Sequence, residues 1–378
     1  MIYADHNATS PLRPEARSAM LAALDLGANP SSVHAAGRAA RRTLETARQQ
    51  VGRAIGGAAK DIVFTSGGTE ANALALMGAA RQLGHKCTLF LSGLEHAAVR
   101  DHAALAGVDT VSIPATPDGL IDLAALSAAL DAHDADRGMP LLALMLANNE
   151  TGVIQPVAEA GAMMRAHGGL IHCDGVQALG KIPVNVTLLG VDYLALSAHK
   201  CGGPAGVGAL WVRPGAPLKP LQLGGGQERS LRSGTENLAG IAGFGAAAEA
   251  SEAALSGFQA LSAHRDRMET RLIAAGAHIF GQDAPRLSNT SCFAFEGFAS
   301  ETQVMALDLA GICISAGAAC SSGKVSRSGV LSAMGASDAL ASAAIRTSFG
   351  WSTQPGDFDA LATAWIAASA RLDRVGSA

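Results

Sequence analysis

The 378-residue chain has no surplus of positive charge: 28 Lys and Arg stand against 32 Asp and Glu, a formal net charge of −4. Sequence-independent nucleic-acid binding depends on a net cationic field, so nucleic acid is excluded as the main partner. Long hydrophobic runs are also missing. The longest, Leu141 to Ala147, falls far short of the ~20 apolar residues that cross a bilayer, which excludes a membrane-spanning helix. The first residues turn acidic and polar from Asp5 onward, with no apolar stretch behind a basic start, so no signal peptide is expected and the expected location is cytoplasmic. Cys87, Cys173, Cys201, Cys292, Cys313 and Cys320 include no C-x-x-C pair, which argues against a disulfide framework and a zinc ribbon and predicts reduced thiols. A metal site would rest on His172-Cys173 and His85-Lys86-Cys87 alone, each lacking a second spaced pair. Repeats, heptads and low-complexity linkers are absent.

With 49% apolar and 16% charged residues, the chain can bury enough surface to offset chain entropy. Short β-branched and Leu-rich runs alternate with Ala-rich stretches of helical period, the pattern of a parallel sheet covered by helices. The runs at 62–65, 88–92, 110–113, 141–146, 170–173, 193–196 and 207–212 predict seven strands. Ala40, Leu44, Ala47, Val51 and Ala54 recur at spacings of four and three, which predicts an amphipathic helix over 39–55. Its other face carries Arg38, Arg41, Arg42, Arg48 and Arg53, a stripe whose simpler reading is a solvated surface. From about Gly224 the chain becomes polar and Gly-rich, followed by an Ala-rich helical stretch to about Ala275. Strands at 289–295 and 313–315, a helix over 302–309 and a small-residue loop over 317–328 then predict a second unit.

Three strand ends carry chemistry. At Thr65-Ser66-Gly67-Gly68-Thr69-Glu70-Ala71-Asn72 a strand runs through glycines into a helix, whose free N–H groups and dipole suit a phosphate, although such a turn alone is more often a plain helix cap. Asp174 follows the apolar run 170–173 directly. Lys200 follows the next strand and precedes Cys201-Gly202-Gly203-Pro204. A buried amine of this kind is a competent Schiff-base nucleophile, where a lone lysine could equally snorkel out to water. A carboxylate to hold a pyridinium and an amine to form an imine, one strand apart, are what pyridoxal phosphate (PLP) requires.

In these residues the chain resembles the cysteine desulfurases, within the class V aminotransferase family of fold-type I PLP enzymes. The resembling stretches are Tyr3–Thr9, Asn29–His34, Thr65–Asn72, Glu95-His96, Asn148–Gly152, Asp174–Gln177, Ser197–Lys200, Arg232–Asn237, Ala316–Gly323 and Ile345–Ser348, which span nearly the whole chain. The resemblance implies an α/β fold: a large domain over 15–255 with a mostly parallel seven-stranded sheet, and a smaller α+β domain formed by 1–14 and 256–378. It implies that Lys200 forms the internal aldimine, Asp174 pairs with the pyridinium nitrogen, Gln177 bonds the ring hydroxyl and His96 stacks on the ring. Thr69, Ser197, His199 and the backbone at Gly68 would hold the phosphate, with Thr235 reaching it from a neighbouring subunit in a homodimer. Asn149 would sit beside ring and substrate, Asn29 would bind substrate, and Arg346 would clamp the substrate carboxylate with its planar fork.

Cys320 lies in Ser315–Gly323, a stretch so poor in bulky residues that it suits a thiol that attacks a bound sulfur and then carries it out. Cys173 and Cys313 fit better as small buried hydrophobes, Cys87 and Cys292 as strand residues, and Cys201 is too close to Lys200 to be a mobile carrier. The implied reaction converts L-cysteine to L-alanine: Lys200 removes the α-proton, the Cys320 thiolate takes the sulfur as a persulfide, and His96 exchanges a proton near the substrate thiol. A sulfur-acceptor protein in iron–sulfur cluster assembly or another transfer pathway is the expected partner. Alternatives are a selenocysteine lyase or another class V lyase or aminotransferase, which would not need Cys320, and a sulfur-relay protein activated by its partner. The chain departs from the family pattern at Lys324-Val325-Ser326-Arg327-Ser328, where an acidic residue and a proline commonly precede the serine. It ends at Ala378 without the tail on which housekeeping members dock a scaffold, so the acceptor stays open.

Overall fold

A short strand, β1 (Ile2–Tyr3), opens the chain, and helices α1 (Pro14–Leu26) and α2 (Ala35–Ala54) follow it in a computed structural model that describes residues 1–317 and 327–375, with side chains to 371. Pro14 presets the first turn of α1, and Gly27 closes the helix in the left-handed conformation at φ 52°. The His34 side chain caps α2 by accepting from the Gly37 N–H, so this helix starts one turn earlier than its apolar spacing announces.

Seven strands then build the central sheet: β2 (Ile62–Thr65), β3 (Cys87–Ser92), β4 (Asp109–Ile113), β5 (Met139–Ala143), β6 (Leu170–Asp174), β7 (Tyr193–Ser197) and β8 (Gly208–Val212). Their order is β2-β8-β7-β6-β5-β3-β4, with β8 antiparallel to both neighbours and all other pairs parallel. Every residue of β6 and β7 is buried, as expected of parallel strands covered on both faces. One face packs against α2 through Leu44 and Val51, and the other against helix α3 (Gly68–Gln82) through Leu74 and Leu76. The seven expected strands are all present, though β5 ends at Ala143 where the apolar run suggested Leu146. Leu144 and Leu146 nevertheless still donate to the carbonyls of His172 and Asp174, so the pairing with β6 outlasts the strand.

The last third of the chain forms two smaller sheets. Strands β9 (His278–Ile279), β10 (Thr290–Ala294), β12 (Ser315–Ala316) and β13 (Ile345–Ser348) make an antiparallel sheet of order β12-β13-β10-β9, and β11 (Ile312–Cys313) pairs in parallel with β1. The single strand expected over 313–315 is therefore two, separated at Ile314 and belonging to different sheets. The Ala-rich stretch read as continuous helix breaks into Leu238–Ala253, Leu255–Gln259 and Leu261–Ala274, and a long helix, Pro355–Val375, closes the chain. From β1 the N-terminal segment runs past β13, where Asp5 bridges Ser348, and Ser10 N–H then reaches the His199 carbonyl.

The arginine stripe on α2 is not uniformly solvated, which corrects its simpler reading. Arg41 pairs with Glu45 and Arg53 with Glu249 at the surface. Arg48, 3% exposed, instead turns inward and grips Glu228 in a bidentate pair at 2.6 and 2.7 Å. Glu228 also accepts the Phe64 N–H at 2.9 Å, and Glu228, Arg229 and Ser230 all hold positive φ. Three consecutive left-handed non-glycine residues persist only where contacts over-determine them, and this buried pair is that contact. Glu228→Ala leaves the buried Arg48 with only the part-exposed Glu45, 3.1 Å from its Nε, as counter-charge, so it is expected to cost about 3 kcal/mol in urea unfolding, with the surface change Glu249→Ala near neutral as the control.

Candidate active site

The C-terminal ends of β2, β6 and β7 meet at one open cleft of about 240 Å³. Open α/β sheets gather ligands at such strand ends. Gly68, Thr69, His96, Asn149, Asp174, Gln177, Ser197, His199, Lys200 and Arg346 all line it, so ten of the expected site residues converge although they span most of the chain. Asn29 and Thr235 are exposed and do not line the cleft of this single chain. Cys320 lies outside the described residues, as do Lys324, Val325 and Ser326. Of the other thiols, Cys87, Cys173, Cys201 and Cys292 are buried, and burial pushes Cys201 up to about 11. Cys313 is only half-buried, because its strand lies beside β1 rather than inside the expected core.

The anion end of the cleft is the first turn of α3. The helix ladder begins with Ala71 N–H on the Gly67 carbonyl, which leaves the preceding N–H groups of the turn for another acceptor. Gly68 is required here: a Cβ would lie 2.6 Å from Val176 Cγ2, in the loop behind Asp174. Glu70 does not compete for the anion, since it accepts the Ser66 N–H and pairs with Arg232, which hold its carboxyl below the usual range. His199 bonds Thr9 Oγ1 at 3.1 Å, and burial lowers it to about 4, so it is a neutral imidazole at physiological pH.

Asp174 ends β6 as a carboxylate with both oxygens served. Oδ1 accepts the Val176 N–H at 3.0 Å and Oδ2 accepts Asn72 Nδ2 at 2.8 Å. Asn72 Oδ1 in turn meets His172 Nε2 at 2.8 Å, and burial takes His172 down to about 3, so a neutral Nε2–H donates. The Val176 N–H and Asn72 Nδ2 fix the Asp174 carboxyl in place on the cleft, where a pyridinium nitrogen would find its partner. His172 was visible in sequence only as a histidine within an apolar strand, and Asn72 only as the end of a helix-opening motif.

His96 caps the helix Ala97–Leu105: its Nδ1 accepts the Ala98 N–H at 3.0 Å. A backbone N–H can only donate, so neutral His96 carries its proton on Nε2 and offers a donor there. Burial lowers its basicity further. Arg346, 2% exposed, donates to the Asn149 carbonyl at 3.1 Å and to Asp5 Oδ1 at 2.6 Å, and its buried Nε has no partner among the described residues.

Behind the cleft floor lies a polar network that sequence patterns did not reveal. Lys200 Nζ donates to the carbonyls of Asn7 and Ala8 at 2.6 and 2.7 Å. Lys181, 3% exposed, donates to Gln177 Oε1 at 2.5 Å and Asn7 Oδ1 at 2.7 Å. Gln177 Nε2 donates to the Asn7 carbonyl at 2.9 Å. The site fits PLP on these observations: a buried carboxylate, an amine at the next strand end and an anion cradle that only glycine admits.

The fold and this donor set define a PLP-dependent enzyme of fold type I. The aminotransferase class-V family model matches residues 2–361. A cysteine desulfurase of Cereibacter sphaeroides is 44% identical over 370 residues, covering 95% of this chain and 93% of that protein. An IscS-like cysteine desulfurase of Mycobacterium tuberculosis is 36% identical, covering 100% and 98%. The crystal structure of a NifS-like protein from Rickettsia africae superposes with a TM-score of 0.89 at 33% identity, over 97% of this chain and 99% of that one. The chain belongs to the class-V aminotransferase family and, within it, to the PLP-dependent cysteine desulfurases. No helix among the described residues is long and apolar enough to cross a membrane.

Two further acids sit under the site. Burial raises Glu95 to about 8 and Glu150 to about 7, the latter while Ser328 Oγ donates to it at 2.5 Å. Glu95 Oε1 accepts the Met145 N–H, whereas Oε2 has no described partner. A carboxyl raised in the folded state keeps a proton that the unfolded chain has lost, so its destabilising effect is absent below the ordinary carboxyl range, grows with rising pH and is complete above its folded pKa. Glu95→Gln is therefore expected to raise Tm at pH 8.5 relative to wild type and to leave it nearly unchanged near pH 4, as read by calorimetry.

Proposed function

We propose that this chain takes sulfur from L-cysteine onto Cys320 as a persulfide, releases L-alanine, and passes the sulfur to an acceptor protein that serves iron–sulfur cluster assembly or another sulfur transfer. The observation that carries the assignment of roles is the convergence of Lys200, Asp174, Gln177, His96 and Arg346 on one cleft. Bound PLP supplies an electron sink for the substrate's α-carbon.

Asp174 keeps the ring nitrogen charged, supported by Asn72 and the Val176 N–H. The first turn of α3 at Gly68 and Thr69, with Ser197 and His199, holds the phosphate, and Gln177 donates to the ring hydroxyl oxygen. Lys200, released from the carbonyls of Asn7 and Ala8, moves the α-proton. Arg346 receives the substrate carboxylate, its bonds to Asp5 and the Asn149 carbonyl keeping the guanidinium in the cleft until then. His96 Nε2–H stands as a donor over the ring and toward the substrate thiol. Cys320 completes the step: its thiolate forms the S–S bond as the substrate's C–S bond breaks, and the electron pair stays with the carbon skeleton that takes up protons and leaves as alanine.

In this reading residues 15–255 form the cofactor-binding unit, while 1–14 and 256–378 bring Arg346 and Cys320. Thr235, exposed and outside the cleft, acts on the partner's phosphate across a homodimer, and Asn29, also exposed, is assigned to substrate binding. The five described cysteines are all free thiols, which supports a location in the reducing cytoplasm.

The test pairs alanine and sulfide release from L-cysteine plus a reducing thiol in wild type and Cys320→Ala at equal PLP content. Wild type is expected to form both products, and the variant to lose roughly a thousandfold or more while its visible spectrum still responds to L-cysteine. Equal activity in the two would remove Cys320 from the reaction and favour a lyase.

A further inference from the structure

Lys181 is buried on a turn seven residues after Asp174, and no carboxylate among the described residues touches it. Its amine makes two described contacts, to Gln177 Oε1 at 2.5 Å and Asn7 Oδ1 at 2.7 Å. The burial, together with the positive charges of Lys200 and Arg346, makes this amine much less basic than an ordinary lysine, against a smaller opposing effect of Cys201. His6 and His199 feel the same charge from the other side. Placing an amine here is costly unless it does something a methionine would not.

The amide orientations around it are not free. Gln177 faces the Asn7 backbone carbonyl with one arm, and a carbonyl accepts only, so that arm must be Nε2. The other arm is then Oε1, and Lys181 supplies the donor that occupies it. Asn7 is fixed in the same way: its Nδ2 donates to the Asn149 carbonyl and to Thr290 Oγ1, while its Oδ1 accepts from Lys181 and Asn289. Gln177 has spent its acceptor on Lys181 and one N–H on Asn7. What it retains for the cleft it lines is its second N–H.

We propose that Lys181 is a positioning residue that locks the Gln177 amide so that it can only donate into the cleft, which sets the ring oxygen of the bound cofactor as an acceptor. The inference rests on the proposed contact between Gln177 and that oxygen. A donor aimed at the ring oxygen stabilises its anionic form and weakens its hold on the proton of the adjacent Lys200–cofactor nitrogen. The proton then leaves at lower pH, and the positive charge of Lys181, where present, acts in the same direction. Without Lys181, the bond to the Asn7 carbonyl is the one described contact left to hold the Gln177 amide, its second N–H is no longer fixed toward the cleft, and the linkage holds its proton to higher pH.

The test is a pH titration of the visible absorbance of the cofactor-loaded enzyme, without substrate, with Tm and cofactor content measured alongside. Lys181→Met, close in volume, is expected to move the titration midpoint up by about one pH unit. Lys181→Gln, which keeps a donor in the pocket and is the second variant should the first not fold, is expected to move it the same way by less. A loaded, folded variant with an unchanged midpoint overturns the proposal, even if its Tm or cofactor content falls, since a merely structural lysine would give that pattern. Gln177→Leu separates the two levels. If it leaves the midpoint unchanged, the contact of Gln177 with the ring oxygen is wrong; if it raises the midpoint and Lys181→Met does not, only the role of Lys181 is lost.

Discussion

Two lysines, Lys181 buried and Lys200 half-buried, share one asparagine, and much of the site depends on it. The backbone carbonyl of Asn7 accepts from Lys200 and Gln177, while its side-chain oxygen accepts from Lys181 and Asn289. An amine out of water must find oxygens, and no carboxylate among the described residues touches Lys181. The N-terminal segment is therefore more than a leading strand. By pairing β1 with β11, bridging Asp5 to Ser348 and then entering the cleft at Asn7, it brings Arg346 on β13 next to Lys200 beyond β7. Loss of that crossing would separate the residue assigned to the substrate carboxylate from the amine assigned to its α-proton.

The central sheet solves a different part of the problem, placing polar groups at the ends of strands that are otherwise buried and largely apolar. β6 buries Leu170 to Cys173 and ends on Asp174; β7 buries Tyr193 to Leu196 and ends on Ser197, three residues before Lys200. The apolar runs fix where the polar termini fall because a one-residue slip would carry the carboxylate into the sheet. Asn72, arriving from α3, then meets Asp174 where the strand stops, with His172 behind it. The arrangement supports a carboxylate from beneath and leaves the ring side open.

This explains which features were legible in the sequence. The seven strands and the α2 helix carry local signals in their apolar runs and period, as do Gly68 and Thr69 at a strand-to-helix turn and Asp174 and Lys200 at strand ends, whereas His96, Asn149, Gln177, Ser197, His199 and Arg346 were legible through the resemblance to the cysteine desulfurases. Lys181 has no such signal, because Leu179-Gly180-Lys181-Ile182 reads like any short turn and its partners lie at Gln177 and far away at Asn7. Arg48 was hidden for the opposite reason, since it sits in a stripe of arginines, and only Glu228, 180 residues on, distinguishes it from its neighbours. The split of 312–316 into two strands also depends on distant partners, β1 on one side and β13 on the other. Pairwise contacts between far segments leave no period to read.

Glu150 joins the two halves of the chemistry. Asn148 Oδ1 accepts the N–H groups of Glu150 and Thr151, which shapes the turn that presents Asn149 to the cleft and its carbonyl to Arg346. The Glu150 carboxyl then receives Ser328 Oγ, whose oxygen also accepts the Leu331 N–H and caps the helix Gly329–Ala333. Ser328 is the second described residue after the stretch that contains Cys320, so the turn beside Arg346 and the return of that stretch to the fold share one buried carboxyl. Arg327, immediately before it, pairs with Asp338 at the surface and fixes the same point from outside. The departures at Lys324, Val325 and Ser326 thus fall before this anchor and leave it intact.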